Sequence, residues 1–180
     1  MKIATIAGSL RRASTNRGLL RACQDVAPQG VTFDALSIGD IPHYDGDVAA
    51  QGEPESVARF KAGIEGADAL LIATPEYNYS IPGVLKNAID WASRPAYQSV
   101  FASKKTAMLG AAYSVVGTAR AQSHLKHILL GMATPVFAYP EVLVGSAKTK
   151  FDDQGTLTDG PTREFLAKFM GAFVEWAKSG

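Results

Sequence analysis

Cysteine is almost missing: Cys23 is the only one in 180 residues. A single thiol closes no internal disulfide, so a reducing compartment is expected. A dominant charge sign is missing too. Lys and Arg number 18 against 17 Asp and Glu, a formal net charge of +1. That balance excludes a broad electrostatic case for nucleic acid or an anionic membrane as partner. No apolar run approaches the ~20 residues that cross a bilayer. The opening Met-Lys-Ile-Ala-Thr-Ile-Ala-Gly is too short for a signal-peptide core, and no cleavage-like site follows. The cytoplasm is the expected location. Repeats, low-complexity tracts and linkers are also lacking. What is present is an ordinary globular mixture, 47% hydrophobic and 19% charged, which excludes disorder. One domain over residues 1–180 is expected, large enough to bury a core without staples.

Strand-length apolar runs alternate with longer helical patterns. Ile3–Ala7 reads as a buried parallel strand ended by Gly8. About Thr15 to Ala27 reads as a helix, stopped by Pro28-Gln29-Gly30. Val31–Ile38 reads as a second strand, and Gly39 to Pro54 as an extended surface loop over one edge. Glu55–Glu65 is helical, with Val57, Phe60 and Ile64 on one face and Gly66 as its cap. Ala69–Ala73 is the most apolar strand, ended by Thr74-Pro75. Ile81–Ser93 is expected to be a helix with Pro82 in its first turn. Thr106–Ala112 and Val136–Val144 read as further strands, with Pro140 interrupting the last, and Thr118–Leu130 as a helix between them. Pro161–Lys178 closes the chain as a helix with Phe165, Leu166, Phe169, Phe173 and Trp176 inward. This alternation predicts a doubly wound parallel sheet of five strands, order 2-1-3-4-5, with helices on both faces. Ligands on such sheets bind at the carboxyl ends of the strands. The loops after Ala7, Ala73 and Ala112 are therefore the places to look.

The first loop, Gly8 to Asn16, joins a buried strand to a helix N-terminus, where unpaired N–H groups and the dipole favour a phosphate. Ser9, Ser14, Thr15 and Asn16 add donors, and Arg11 or Arg12 adds charge. Neither a dinucleotide glycine fingerprint nor a P-loop Gly-Lys-Ser/Thr is present, so a terminal monophosphate fits better than a pyrophosphate. A polar turn with a Ser/Thr helix cap is an equal reading of the same residues. The second loop, Thr74 to Gly83, sets Glu76, Tyr77, Asn78 and Tyr79 between Pro75 and Pro82. A stiff backbone and flat aromatic walls suit a planar heterocycle. The third loop, Tyr113 to Thr118, leads into a helix whose N–H groups could bind a carbonyl oxygen or a developing negative charge.

These residues carry a resemblance. Gly8-Ser9-Leu10-Arg11 with Ser14 and Asn16, the run from Pro75 through Trp91, and Gly117 with Arg120-Ala121-Gln122 and Leu125 resemble the NADPH-dependent FMN reductase family, in its quinone and chromate reductase branch. The match spans almost the whole chain. Ser114-Val115-Val116-Gly117 departs from it, standing where many relatives have proline and extra glycines. The resemblance implies a flavodoxin-like fold. It implies that Ser9, Arg11, Ser14 and Asn16 bind the FMN phosphate. Pro75, Glu76, Tyr77 and Asn78 would border the isoalloxazine ring, and Ser114 and Gly117 would reach its other edge. It also implies a homodimer or homotetramer with the flavin near an interface. Tyr79, Arg120 and Glu141 match polar positions that relatives use between subunits.

The expected activity is transfer of electrons from NADPH or NADH, by way of FMN, to a small acceptor. Quinone, free flavin, azo dye, ferric chelate and chromate all remain open. The flavin would carry the chemistry, so no catalytic side chain is expected. The rivals are a non-enzymatic flavodoxin-type electron carrier and a flavin-binding regulatory module. Near-neutral charge and the Ser-Leu-Arg loop count against the first. Cys23 reads as a buried small apolar residue. His124 and His127 lack an acid or cysteine partner, so no metal is expected. His43 reads as a solvated loop residue. Arg94 either lines the substrate entrance, as Tyr79 would, or caps a helix. Asp152 and Asp153 read as a turn.

Overall fold

The fold is described by a computed structural model over residues 1–138 and 140–179. Five parallel strands form one sheet in the order β2-β1-β3-β4-β5. They are β1 (Lys2–Ala7), β2 (Thr32–Leu36), β3 (Ala69–Ala73), β4 (Thr106–Ala111) and β5 (Val142–Val144). Among the described residues the six α-helices are α1 (Thr15–Asp25), α2 (Gly46–Gln51), α3 (Glu55–Glu65), α4 (Gly83–Ala92), α5 (Ala119–Leu130) and α6 (Gly160–Lys178), with a short 3-10 turn at Ala147–Thr149. Ile6 pairs with Ile72, and Ala73 with Leu109, so the register aligns the carboxyl ends of the three central strands.

The near-continuous apolar runs follow from burial on both faces. Successive side chains of a strand point to opposite sides. Ile3, Leu71, Ala73 and Leu109 pack under α1 and α6, against Leu19, Cys23, Leu166, Phe169 and Phe173. Ile6, Leu70, Ile72 and Met108 pack under α3, α4 and α5, against Phe60, Ile64, Leu85, Ile89 and Leu125. Cys23 is one of these core residues, and burial pushes its thiol pKa up.

Several sequence expectations change. Gly39 to Pro54 is not simply an extended loop: it contains α2, and Ile41 is buried. Pro42 is pinned to α4, its carbonyl accepting from Trp91 Nε1 at 2.9 Å and Asn87 Nδ2 at 2.8 Å. Asn87 Oδ1 in turn accepts the Tyr44 N–H. Pro82 precedes α4 as its N-cap rather than sitting in the first turn, with extended ψ of 144°. The last strand shrinks to three residues; Val136 makes only an isolated bridge to Thr106. Tyr139, inside the expected strand, lies outside the described residues. Phe165 faces outward, 39% exposed, because the inward stripe of α6 runs through Leu166, Phe169, Met170, Phe173 and Val174.

Among the described residues no helix is long and apolar enough to cross a membrane.

Candidate functional site

A cavity of about 260 Å³ opens where β1, β3 and β4 end. It is lined by Ser9, Arg11, Ser14, Thr15, Asn16, Pro75, Glu76, Tyr77 and Ser114, all expected from the sequence, and by Ala111, Ala112 and Tyr113, which were not. Asn78, Gly117, Tyr79, Arg94, Arg120 and Glu141 do not line it. For Ala111 and Ala112 the signal was small side chains at a strand end, where a larger one would fill the space; Tyr113 opens the third loop, which the sequence marks as a whole without singling it out.

The first wall is the turn into α1. Ser14 is the N-cap and accepts the Arg17 N–H at 3.3 Å. The N–H groups of Thr15 and Asn16 lie in the first turn, where the helix offers no partner. Ser9 is 4% exposed, and its side chain enters no hydrogen bond among the described residues. Arg11 is exposed and donates from Nη1 to the Tyr113 hydroxyl at 3.3 Å. That hydrogen bond, with the charge interaction of the same tyrosine, raises the Arg11 pKa, so the guanidinium stays cationic.

Asn16 corrects the sequence expectation for its side chain. Its Nδ2 donates to the Ala111 carbonyl at 3.0 Å and its Oδ1 accepts the Ala111 N–H at 2.9 Å. The carboxamide thereby acts as a buried bracket between α1 and β4. What Asn16 has left for a ligand is chiefly its backbone N–H.

Glu76 is likewise committed. Its Oε2 accepts the N–H groups of Arg120 and Ala121 at 3.0 and 3.1 Å. Its Oε1 accepts from Arg120 Nε at 2.6 Å, and its side chain is 7% exposed. Thr118, the N-cap of α5, makes no side-chain cap hydrogen bond. Glu76 caps the helix in its place, a carboxylate at the positive end of the dipole. The start of α5 therefore does not have those two N–H groups free for a ligand, contrary to the expectation for the third loop.

Tyr77 to Ser80 is a tight hairpin. Tyr77 and Ser80 exchange both backbone hydrogen bonds at 3.0 Å. Asn78 and Tyr79 have φ of 48° and 67°, a type I′ pattern. Asparagine tolerates this conformation; tyrosine does so at a cost. Arg120 lies over the Tyr79 ring at 3.8 Å, and His124 Nδ1 meets Ser80 Oγ at 3.0 Å, so α5 holds the turn. In the third loop Gly117 is the turn residue, at φ +67°, with its Cα against the Leu143 backbone. The Ser114 carbonyl accepts from Gly117 and Ser146.

Arg94 follows the end of α4 and lines a separate cleft with Tyr97, Ser99 and Met132, at the amino-terminal edge of the sheet. Its guanidinium approaches the Tyr44 ring at 5.5 Å. Glu141 pairs with Lys126 of α5. His43 is exposed. His127 Nδ1 meets the Ser123 carbonyl, and no cluster of three or more His, Cys, Asp or Glu could hold a metal among the described residues. Asp152 caps a turn, accepting from Gln154 and Thr156.

Comparison with known proteins agrees with this architecture. Residues 1–149 match the model of a family described as NADPH-dependent FMN reductase. An NAD(P)H-dependent FMN reductase of Pseudomonas aeruginosa is 46% identical over 99% of this chain and 96% of its own length. A 2-hydroxy-1,4-benzoquinone reductase of a Burkholderia species is 42% identical over 99% and 97%. Among solved structures, the flavoenzyme NAD(P)H:(acceptor) oxidoreductase FerB of Paracoccus denitrificans superposes with a TM-score of 0.89, at 42% identity over 98% and 97% of the two chains.

Proposed function

Because the chain belongs to the NADPH-dependent FMN reductase family, we propose that it is an FMN-dependent NAD(P)H oxidoreductase that reduces small quinone-type acceptors. One observation carries the reading. Ser9, the first turn of α1 and Arg11 meet on one wall of the cavity, facing the Pro75–Tyr77 and Ala111–Ser114 walls. The residues present fit FMN. A free hydroxyl, unpaired helix N–H groups and a permanent cation form a donor set for a phosphate monoester.

In this reading Ser9, Arg11, Ser14, Thr15 and the Asn16 backbone hold the phosphate. Pro75, Tyr77 and Ser114 border the ring, and Glu76 supports it by bolting the hairpin to α5. Bound FMN supplies the hydride acceptance from NADPH or NADH and its onward delivery. The chain's part is to orient the ring and leave a face open. Tyr77 and Tyr113, 51% and 60% exposed, form a rim that narrows access without closing it. No nucleophile or acid–base pair is required of the protein, and Cys23 lies in the core, away from the cavity. Tyr79, 66% exposed and backed by Arg120, and Glu141 remain the candidate contacts of a dimer or tetramer.

The test is steady-state oxidation of NADPH by FMN-loaded protein with 1,4-benzoquinone. Turnover with parallel initial-rate plots is expected, since donor and acceptor would use one open face in turn. Failure to bind FMN, or to oxidise NADPH when loaded, overturns the proposal. Sedimentation of an active monomer at all concentrations would overturn the assembly.

A further inference from the structure

Positive charge is gathered on one element of a nearly neutral chain. Between Gly8 and Gln24 there are four arginines, Arg11, Arg12, Arg17 and Arg21, and no acidic residue. Arg11 belongs to the cavity above. Arg17 and Arg21 do not: they line a second groove, of about 440 Å³, between α1 and the edge strand β2. Its other walls are Thr5, Ala7, Leu20, Gln24 and residues 35–38.

Spacing puts the two arginines one turn apart on the same helical face, where like charges repel unless an anion lies between them. Arg17 is partly buried, and its side chain makes no hydrogen bond or ion pair among the described residues. Arg21 donates only to the Gly155 carbonyl. Three other arginines are paired with carboxylates: Arg59 with Asp40 and Glu55, Arg120 with Glu76, Arg163 with Asp25. No carboxylate lines the groove. The nearest through a hydrogen bond, Asp40 on Ser37, is held by Arg59 at 2.6 Å. Asp25, one turn beyond Arg21 on α1, is engaged by Arg163 at 3.2 Å. Two forked guanidiniums without an acid are the donor set for a phosphate monoester.

We infer that the α1–β2 groove is a second anion site, which takes a nucleotide phosphate monoester through Arg17 and Arg21. The choice of nucleotide rests on the proposed function. NADPH differs from NADH by a 2′-phosphate, and that group is the first candidate; free phosphate is the other source of the same chemistry. Helix α1 serves both sites, Thr15 and Asn16 facing one and Arg17 and Arg21 the other.

The experiment is calorimetric titration of FMN-loaded protein with adenosine 2′,5′-bisphosphate, adenosine 5′-monophosphate and inorganic phosphate. The bisphosphate should bind tightest, and Arg17→Gln with Arg21→Gln should weaken it at least about tenfold, as loss of charge-assisted bonds requires. FMN affinity should not change, because neither side chain lines the first cavity. The ratio of kcat/KM for NADPH to that for NADH should fall in the same variant. Equal binding of inorganic phosphate would support the site with free phosphate as its ligand. Bisphosphate binding that is absent, or undiminished in the double variant, would overturn it. Because binding is read without turnover, a protein that binds bisphosphate but oxidises no NADPH would sink the reductase reading and leave the groove standing.

Discussion

Glu76 grips Arg120 twice, through the backbone N–H with one carboxylate oxygen and through Nε with the other at 2.6 Å. The same arginine then covers the Tyr79 ring. One side chain thus caps α5, satisfies a cation and supports a strained turn beside the cavity.

Glu76→Ala should therefore act first on stability. It removes a buried carboxylate that accepts three charge-assisted bonds, partly offset because Arg120 is 38% exposed and screened by solvent. A loss of about 2–3 kcal/mol is expected in urea unfolding. Glu76→Gln should cost less, since one amide oxygen can still cap the helix. Should Glu76→Ala leave stability intact but abolish FMN binding, the side chain touches cofactor directly and the positioning role is wrong.

Arg11→Ala should weaken FMN binding about tenfold to hundredfold, the effect of about 1.5–3 kcal/mol for a charge-assisted bond. Riboflavin affinity and stability should hardly move, because Arg11 is exposed and packs no core. Arg12→Ala is the control. Added salt should narrow the gap between wild type and Arg11→Ala. Fluorescence quenching of the flavin on binding measures each affinity, and urea unfolding measures stability. Loss in Arg12→Ala alone would mean that the wrong arginine is assigned.

Asn16→Ala should destabilise the protein by about 2–3 kcal/mol, since it leaves the buried N–H and C=O of Ala111 unpaired. Any loss of FMN affinity should follow from that and disappear when the variant is stabilised by low temperature or osmolyte. Chemical denaturation and flavin titration on the same sample separate the two. Full stability with lost FMN affinity would return the Asn16 side chain to the phosphate site.

Asp159 sets one acid limit. As N-cap of α6 it accepts from the Thr162 hydroxyl and N–H, which lowers its pKa. A depressed folded value means that the stabilisation is present above the unfolded carboxyl pKa, about 3.9. It is lost as pH falls through the lower folded value. Asp159→Asn keeps a cap and removes the charge, so its stability should change less than wild type across that range. Thermal unfolding scans from pH 5 to pH 3 read this, and parallel curves for the two proteins would exclude the contribution.

The strands were legible because both faces of the sheet are covered, which makes Ala69–Ala73 and, Thr106 apart, Thr106–Ala111 apolar and easy to bound. Their alternation with helices determined the topology, since parallel neighbours need crossovers of one hand. The cavity loops were legible for the same reason, as they follow from the strand ends. Side-chain roles were not. Asn16 and Glu76 sit in sequence where a ligand would want donors or walls, yet each spends its polar atoms on a distant backbone, Ala111 and α5. The same holds for Asn87 and Trp91, whose partner is Pro42, 45 and 49 residues away. Local pattern determines which face a residue occupies, because helix and strand periods are local. Which buried polar atom it must satisfy depends on what the fold brings opposite it, and that only the tertiary structure decides.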